Sequence, residues 1–258
     1  MFSGNYFRFD GTLSKQYDLR IVNIDTKTTG LLLDQERKYI NTNLQSGTTF
    51  HTLGRKITDP FSFDIEIYTQ NGLSMLQQRQ IEKWLFDRMQ YKKLEIINKD
   101  YANIYYNCRL IKPELNNYFG MMGYKCTVVG DSPWAWEYEK TVSYSVTTVP
   151  SVLNFTNISD DEYIMKPKLV VTCGTTGGTV SVTNITDSNN LIQFTGLSAN
   201  EVITIDKYGQ MSSSIGNSRY DNWNGNRLYL VSGVNQLTVN GNISKIDIQY
   251  QNVRRVGY

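Results

Sequence analysis

Side chains able to carry chemistry are few and scattered in this 258-residue chain. The only histidine is His51, set in a polar stretch without a local acid or nucleophile, so no nucleophilic triad can be assembled around it. Cys108, Cys126 and Cys173 are widely spaced, show no CxxC pair and are odd in number; they read as buried free thiols, and zinc spacing is absent. Gly174-Thr175-Thr176-Gly177-Gly178 lacks the lysine of a phosphate cradle and reads as a turn. Asp221-Asn222-Trp223-Asn224-Gly225-Asn226 misses the alternating ligands and the closing glutamate of a calcium loop. Asp160, Asp161, Glu162 and Glu201 are available as a glycosidase pair, but acids in loops are usually solvated. Catalytic, metal-binding and cofactor-binding residues are therefore expected to be absent. One binding arrangement remains: Tyr220, Trp223 and Tyr229 lie among Asn222, Asn224 and Asn226, and aromatic faces flanked by amides suit carbohydrate or partner contact. The competing role for Trp223 is to anchor a hairpin to a core.

The elements that must position these groups follow from hydrophobic period. Phe61, Phe63, Ile65 and Ile67 alternate with polar residues as a strand with one wet face does. After Asn71-Gly72, Leu73, Leu76, Ile81, Trp84, Leu85 and Met89 recur at spacings of three and four, which predicts a helix over about 74–90. Ser74 with Gln77 forms the sequence of a capping box. Phe63, Ile65, Ile67, Ile81, Trp84 and Leu85 are the expected structural core. Tyr6 to Phe9 and Leu19 to Ile24 read as strands, whereas 30–58 is polar and weakly periodic, a long loop or an extended arm that packs on a neighbouring subunit.

Asp131-Ser132-Pro133-Trp134-Ala135-Trp136 marks a packed crossover between domains, expected at 1–138 and 139–258. Beyond it, short alternating runs at 169–173, 179–184, 191–195, 202–206, 228–232, 237–240 and 246–250 are separated by Gly and Asn turns, as in a β-sandwich or jelly roll. The fold class is mainly β: a β-rich first domain with one packed helix, then a sandwich. The 26 basic and 24 acidic residues nearly cancel, with no basic tract to neutralise phosphates. No stretch approaches the ~18 apolar residues of a membrane span, and no secretory leader is evident, so a soluble chain made in the cytoplasm is expected.

Taken in order, several motifs resemble the distal tail protein (Dit) family of long-tailed, siphovirus-type phages. They are Phe7-Arg8-Phe9-Asp10-Gly11, Trp84-Leu85 followed by Lys93-Leu94, Tyr105-Tyr106-Asn107-Cys108-Arg109-Leu110, and 126–136 at the domain junction. In the second half, Asn154-Phe155 ahead of 166–169, then Glu201 to Asp206 and Leu228 to Val239, continue the likeness. The resemblance implies an N-terminal ring-forming (belt) domain and a galectin-like C-terminal sandwich. It implies a non-enzymatic hub of the tail tip or baseplate, six copies closing a homohexameric ring. Its partners would be the tail tube protein, the tail-associated tip protein and a receptor-binding protein, with DNA only in passage through the channel and no membrane. A carbohydrate-binding module of a host-adhesion device, using Tyr220, Trp223 and Tyr229, is the alternative.

Overall fold

The computed structural model describes residues 4–24, 37–43, 50–57, 60–87, 89–99, 102–118, 120–160, 163–216 and 218–255. The chain divides into two compact units, Met1–Glu137 with Arg254–Tyr258, and Tyr138–Val253. The first contains β1 (Phe7–Phe9), β2 (Thr12–Leu13), β3 (Arg20–Ile24), β4 (Arg37–Asn43), β5 (Phe50–Ile57), β6 (Ser62–Thr69), helix α1 (Met75–Leu85), β7 (Lys92–Ile96), β8 (Ile104–Tyr118), β9 (Met121–Gly130) and β10 (Trp134–Glu137). The second contains β11 (Lys140–Ser145), β12 (Ser151–Asn157), β13 (Lys168–Cys173), β14 (Gly178–Asn184), β15 (Asn190–Leu197), β16 (Val202–Ile205), β17 (Met211–Ser213), β18 (Gly233–Gly241) and β19 (Ile243–Tyr250), and the chain ends in β20 (Val253–Arg255).

In the first unit the main sheet runs β2-β1-β7-β8-β9-β6-β3, with β10 beside β8 and β20 beside β10. Alternation in β6 sends Phe63, Ile65 and Ile67 to one face, where each is at most 3% exposed, and the register continues that face into β9 through Val128, Cys126 and Tyr124. Helix α1 closes the face. Ile81, Trp84 and Leu85 recur at three and four residues and are buried with the β6 row in one cluster. Trp84 locks the helix down: its indole lies 5.8 Å from and parallel to Phe7, and its Nε1–H donates to the Phe9 carbonyl at 2.9 Å.

The helix is shorter than its sequence period suggests. It ends at Leu85; Phe86 leaves the helical path at φ −114° and turns its ring onto Tyr124, 5.4 Å away. Leu76 and Met89, counted into the apolar stripe from sequence, are 67% and 94% exposed. Only about one helical turn of the stripe is fully buried; Leu73 and Phe86 flank it, partly buried against the same cluster, whereas Leu76 and Met89 lie off it. The helix start is as its sequence indicates: the Ser74 hydroxyl accepts from the Gln77 amide at 3.3 Å, and Gln77 Oε1 accepts from the Ser74 amide at 2.9 Å. Ser74→Ala is expected to cost ~1 kcal/mol, read as a lower urea midpoint of the first unit.

Within the polar stretch 30–58, β4 and β5 pair with each other from Arg37↔Ile57 to Asn43↔Phe50 as a separate two-stranded ribbon. The remainder of that stretch lies outside the described residues. The weak apolar period of this stretch gives no strand signal in the sequence.

The second unit is a sandwich of two sheets, β11-β19-β13-β16-β17 and β12-β18-β14-β15. Inward residues such as Leu169, Val171, Ile203, Ile246 and Ile248 of one sheet and Val180, Val182, Phe194, Leu237 and Val239 of the other form one buried cluster. The run 228–232, which alternates like a strand, is not one. Leu228 and Leu230 are buried, but apart from a single backbone bridge between Leu230 and Met165 the backbone leading to β18 is held by side-chain amides. Asn157 Nδ2 donates to the Leu230 carbonyl at 3.0 Å and Asn184 Nδ2 to the Tyr229 carbonyl at 2.7 Å. Asn235 Oδ1 accepts from the Val231 amide at 2.9 Å, and its Nδ2 donates to the Val231 and Gly233 carbonyls. These buried asparagines satisfy backbone groups that a neighbouring strand would otherwise have to meet. Two of them, Asn157 and Asn184, sit in N-x-[ST] sequences whose side chains are thus committed to the interior.

Candidate functional site

The residues singled out for carbohydrate or partner contact lie on or beside the irregular segment between β17 and β18. Tyr220 and Trp223 come together, with ring centroids 6.1 Å apart and planes tilted by 51°. Trp223 is half-buried and stacks on Phe194 of β15 at 6.3 Å and 19°; its Nε1–H donates to the Asn226 carbonyl at 2.9 Å. One face of the indole and its only polar hydrogen are therefore engaged within the unit. Tyr220 is 51% exposed, and its hydroxyl accepts from the Met211 amide. Tyr229 enters through its backbone, as the acceptor for Asn184. The flanking amides are engaged along the edge of β15: Asn224 Oδ1 accepts from the Gln193 amide, and Asn224 and Asn226 Nδ2 both donate to the Leu191 carbonyl. The segment from Asn222 to Asn226 thereby covers the outer edge of β15.

What fixes this segment is a charge pair that spacing alone does not reveal. The Glu201 side chain is fully buried; it accepts from Arg219 Nε at 2.8 Å and Nη2 at 2.7 Å, from the Ser213 hydroxyl at 2.6 Å and from the Ser198 amide at 2.8 Å. Burial alone would raise the carboxyl, but the hydrogen bonds from Arg219, Ser213 and Ser198, together with the Arg219 charge, outweigh it and hold the group at about 2. Because the folded value lies below the unfolded one of ~4.3, the stability Glu201 contributes is present above that value and is lost as pH falls toward 2. The thermal midpoint of the second unit is expected to fall over that window, and Glu201→Gln should remove this component of the acid dependence.

Cys108, Cys126 and Cys173 are free and buried, and burial pushes all three thiols up, away from the thiolate. His51 lies in β5 and Asp160 beyond β12; the side chain of His51 and residues 161 and 162 are outside the described residues. Among the described residues no cluster of His, Cys, Asp and Glu is arranged to hold a metal ion. A shallow groove of about 530 Å³ beside α1, lined by Arg79, Glu82, Lys83, Phe86, Asp87 and Pro113, carries balanced charges.

The β-rich unit with one helix and the two-sheet sandwich that follows it each match a known family. Residues 2–132 match the family described as phage tail protein N-terminal domain, and 134–250 the phage tail C-terminal domain. The chain belongs to this phage tail protein family. Among its relatives is the SPbeta prophage-derived uncharacterized protein YomH of Bacillus subtilis strain 168, 24% identical over 242 residues and matched over 92% of both chains. The fold is that of the Dit protein of phage SPP1, with a TM-score of 0.70 at 9% identity, covering 96% of this chain and 99% of that one. No described helix is long and apolar enough to cross a membrane.

Proposed function

We propose that this protein is the hub of a phage tail tip: six copies close a ring that joins the tail tube to the tip and host-adsorption proteins, with DNA passing through its centre. The observation that carries the reading is the end-to-end likeness of fold to SPP1 Dit, a protein described as a paradigm of hub adsorption apparatus in phages infecting Gram-positive hosts. Membership of the tail family supports it. The β4–β5 ribbon supports it physically. Among the described residues it pairs only with itself, and the edge of such a ribbon can pair with a strand of a neighbouring copy. A head-to-tail contact whose rotation closes gives a ring, and ribbon exchange is such a contact.

In this reading the ring is built from the first domain, about 1–138, and the second, about 139–258, is the galectin-like sandwich. The chain is made in the bacterial cytoplasm and ends in the virion tail. It acts by shape and self-association and breaks no bonds. Particle imaging of the purified chain with symmetry analysis tests this: rings of six copies are expected, and single copies at micromolar concentration would refute it. A carbohydrate-binding module would instead bind host wall polysaccharide as a single copy, and Trp223→Ala would abolish that binding while leaving the fold intact.

A further inference from the structure

The four strands of one sandwich sheet contain no charged residue and no histidine. β12 (SVLNFTN), β14 (GTVSVTN), β15 (NLIQFTGL) and β18 (GVNQLTVNG) carry only aliphatic, hydroxyl, carboxamide, phenyl and glycine positions, in a chain whose residues are 19% charged overall. Their outward side chains form cross-strand rows, among them Val152–Thr238–Thr183–Leu191. On this face Val152 and Val234 are 54% and 61% exposed. The opposite sheet is ordinary by comparison. Its outer face carries Lys168, Lys245 and Asp247, the last two paired at 2.9 Å.

Soluble domains guard sheet surfaces with charge, because a neutral, flat β-surface associates with others like it. Here the guarding is selective. The outer edge of β15 is covered by the Asn224 and Asn226 amides, and at the β12 edge the Tyr144 hydroxyl donates to the Asn154 carbonyl at 2.8 Å. The edges are blunted while the broad face is left bare. Depletion of charge is a feature of interface centres, and this face shares it while also exposing Val152 and Val234. Any partner bringing charges to it would have to bury them unpaired, which is costly.

We propose that the outer face of the β12-β18-β14-β15 sheet is a pairing surface for the same face of a second copy of this chain, the two sheets meeting face to face. A second copy satisfies the charge condition by identity, since each face presents the other with neutral hydroxyls, amides and methyls. Four strands ~4.8 Å apart and about six residues long at ~3.4 Å per residue give roughly 400 Å² of face per copy. A stable interface takes about 800 Å² per partner. Pairing of two free chains is therefore weak and becomes firm where several faces are presented together. The inference does not depend on ring closure.

The test is sedimentation velocity of the full chain as a concentration series, with Thr238→Lys, Thr238→Glu, their equimolar mixture, and Thr141→Lys on the outer face of the other sheet. The wild type and Thr141→Lys should pair in the same concentration range. Each Thr238 variant alone should pair at least tenfold more weakly, because like charges then face each other, and the mixture should recover pairing through opposite charges. Rescue by mixing separates a surface effect from misfolding, which mixing cannot repair. Unchanged pairing in Thr238→Lys, failure of the mixture to recover, or no wild-type pairing up to ~1 mM would overturn the proposal. The mass of the unit that pairs, one chain or six, reports ring closure separately.

Discussion

Trp84→Ala is expected to destabilise the first unit by ~3–5 kcal/mol, the range for removing a large buried aromatic side chain. The substitution deletes the stack on Phe7, the contact with Tyr17 at 5.7 Å and the bond to the Phe9 carbonyl, and it unfastens α1 from the sheet that the helix covers. Urea unfolding followed by far-ultraviolet circular dichroism should show a transition moving to lower urea. Because the chain has two units with separate cores, a second transition should stay where it was. A single transition that moves as a whole would mean the units unfold as one. Trp84→Phe should recover much of the loss, since it keeps ring packing and forfeits the hydrogen bond.

Asn235→Ala should have a comparable effect on the second unit, ~2–5 kcal/mol. Its side chain is buried and meets the Val231 amide, the Val231 and Gly233 carbonyls and Asn184 Nδ2. Each buried group left without a partner costs ~1–3 kcal/mol, less what relaxation and water recover. Asn235→Leu fills the volume but restores none of these bonds, so it should be no better than alanine. If leucine rescued stability, packing rather than polar satisfaction would be the asparagine's contribution. Thermal unfolding of both variants beside the wild type decides between the two.

Elements built on one buried face were legible from sequence. Phe63, Ile65 and Ile67 announce β6 and its inward side, Ser74 and Gln77 announce the helix start, and the alternation at 169–173 and 246–250 falls within paired strands. Elements lacking such a face were not. The β4–β5 ribbon shows only a weak period in its sequence, and β12, which does have a buried face in Leu153 and Phe155, is obscured by its outward Val152. The run 228–232 shows the reverse error, since its alternation is real but its backbone is met by a single bridge from Leu230 to Met165 and by asparagine side chains. The Glu201–Arg219 pair was invisible because its members are 18 residues apart and only folding brings them together. Of the aromatic cluster, sequence correctly neighboured Tyr220 and Trp223, while the stacking of Trp223 on Phe194 depends on β15. The uncharged sheet could have been noticed as four charge-free runs, had strand membership been known.

The account rests on self-association into a closed ring, and the mass and rotational symmetry of purified particles test that most directly. Particles of six chains with sixfold symmetry, lost when the β4–β5 ribbon is deleted while both units still unfold cooperatively, are the expected result. Particles containing one chain at every concentration, in solution and in isolated tails alike, would contradict it.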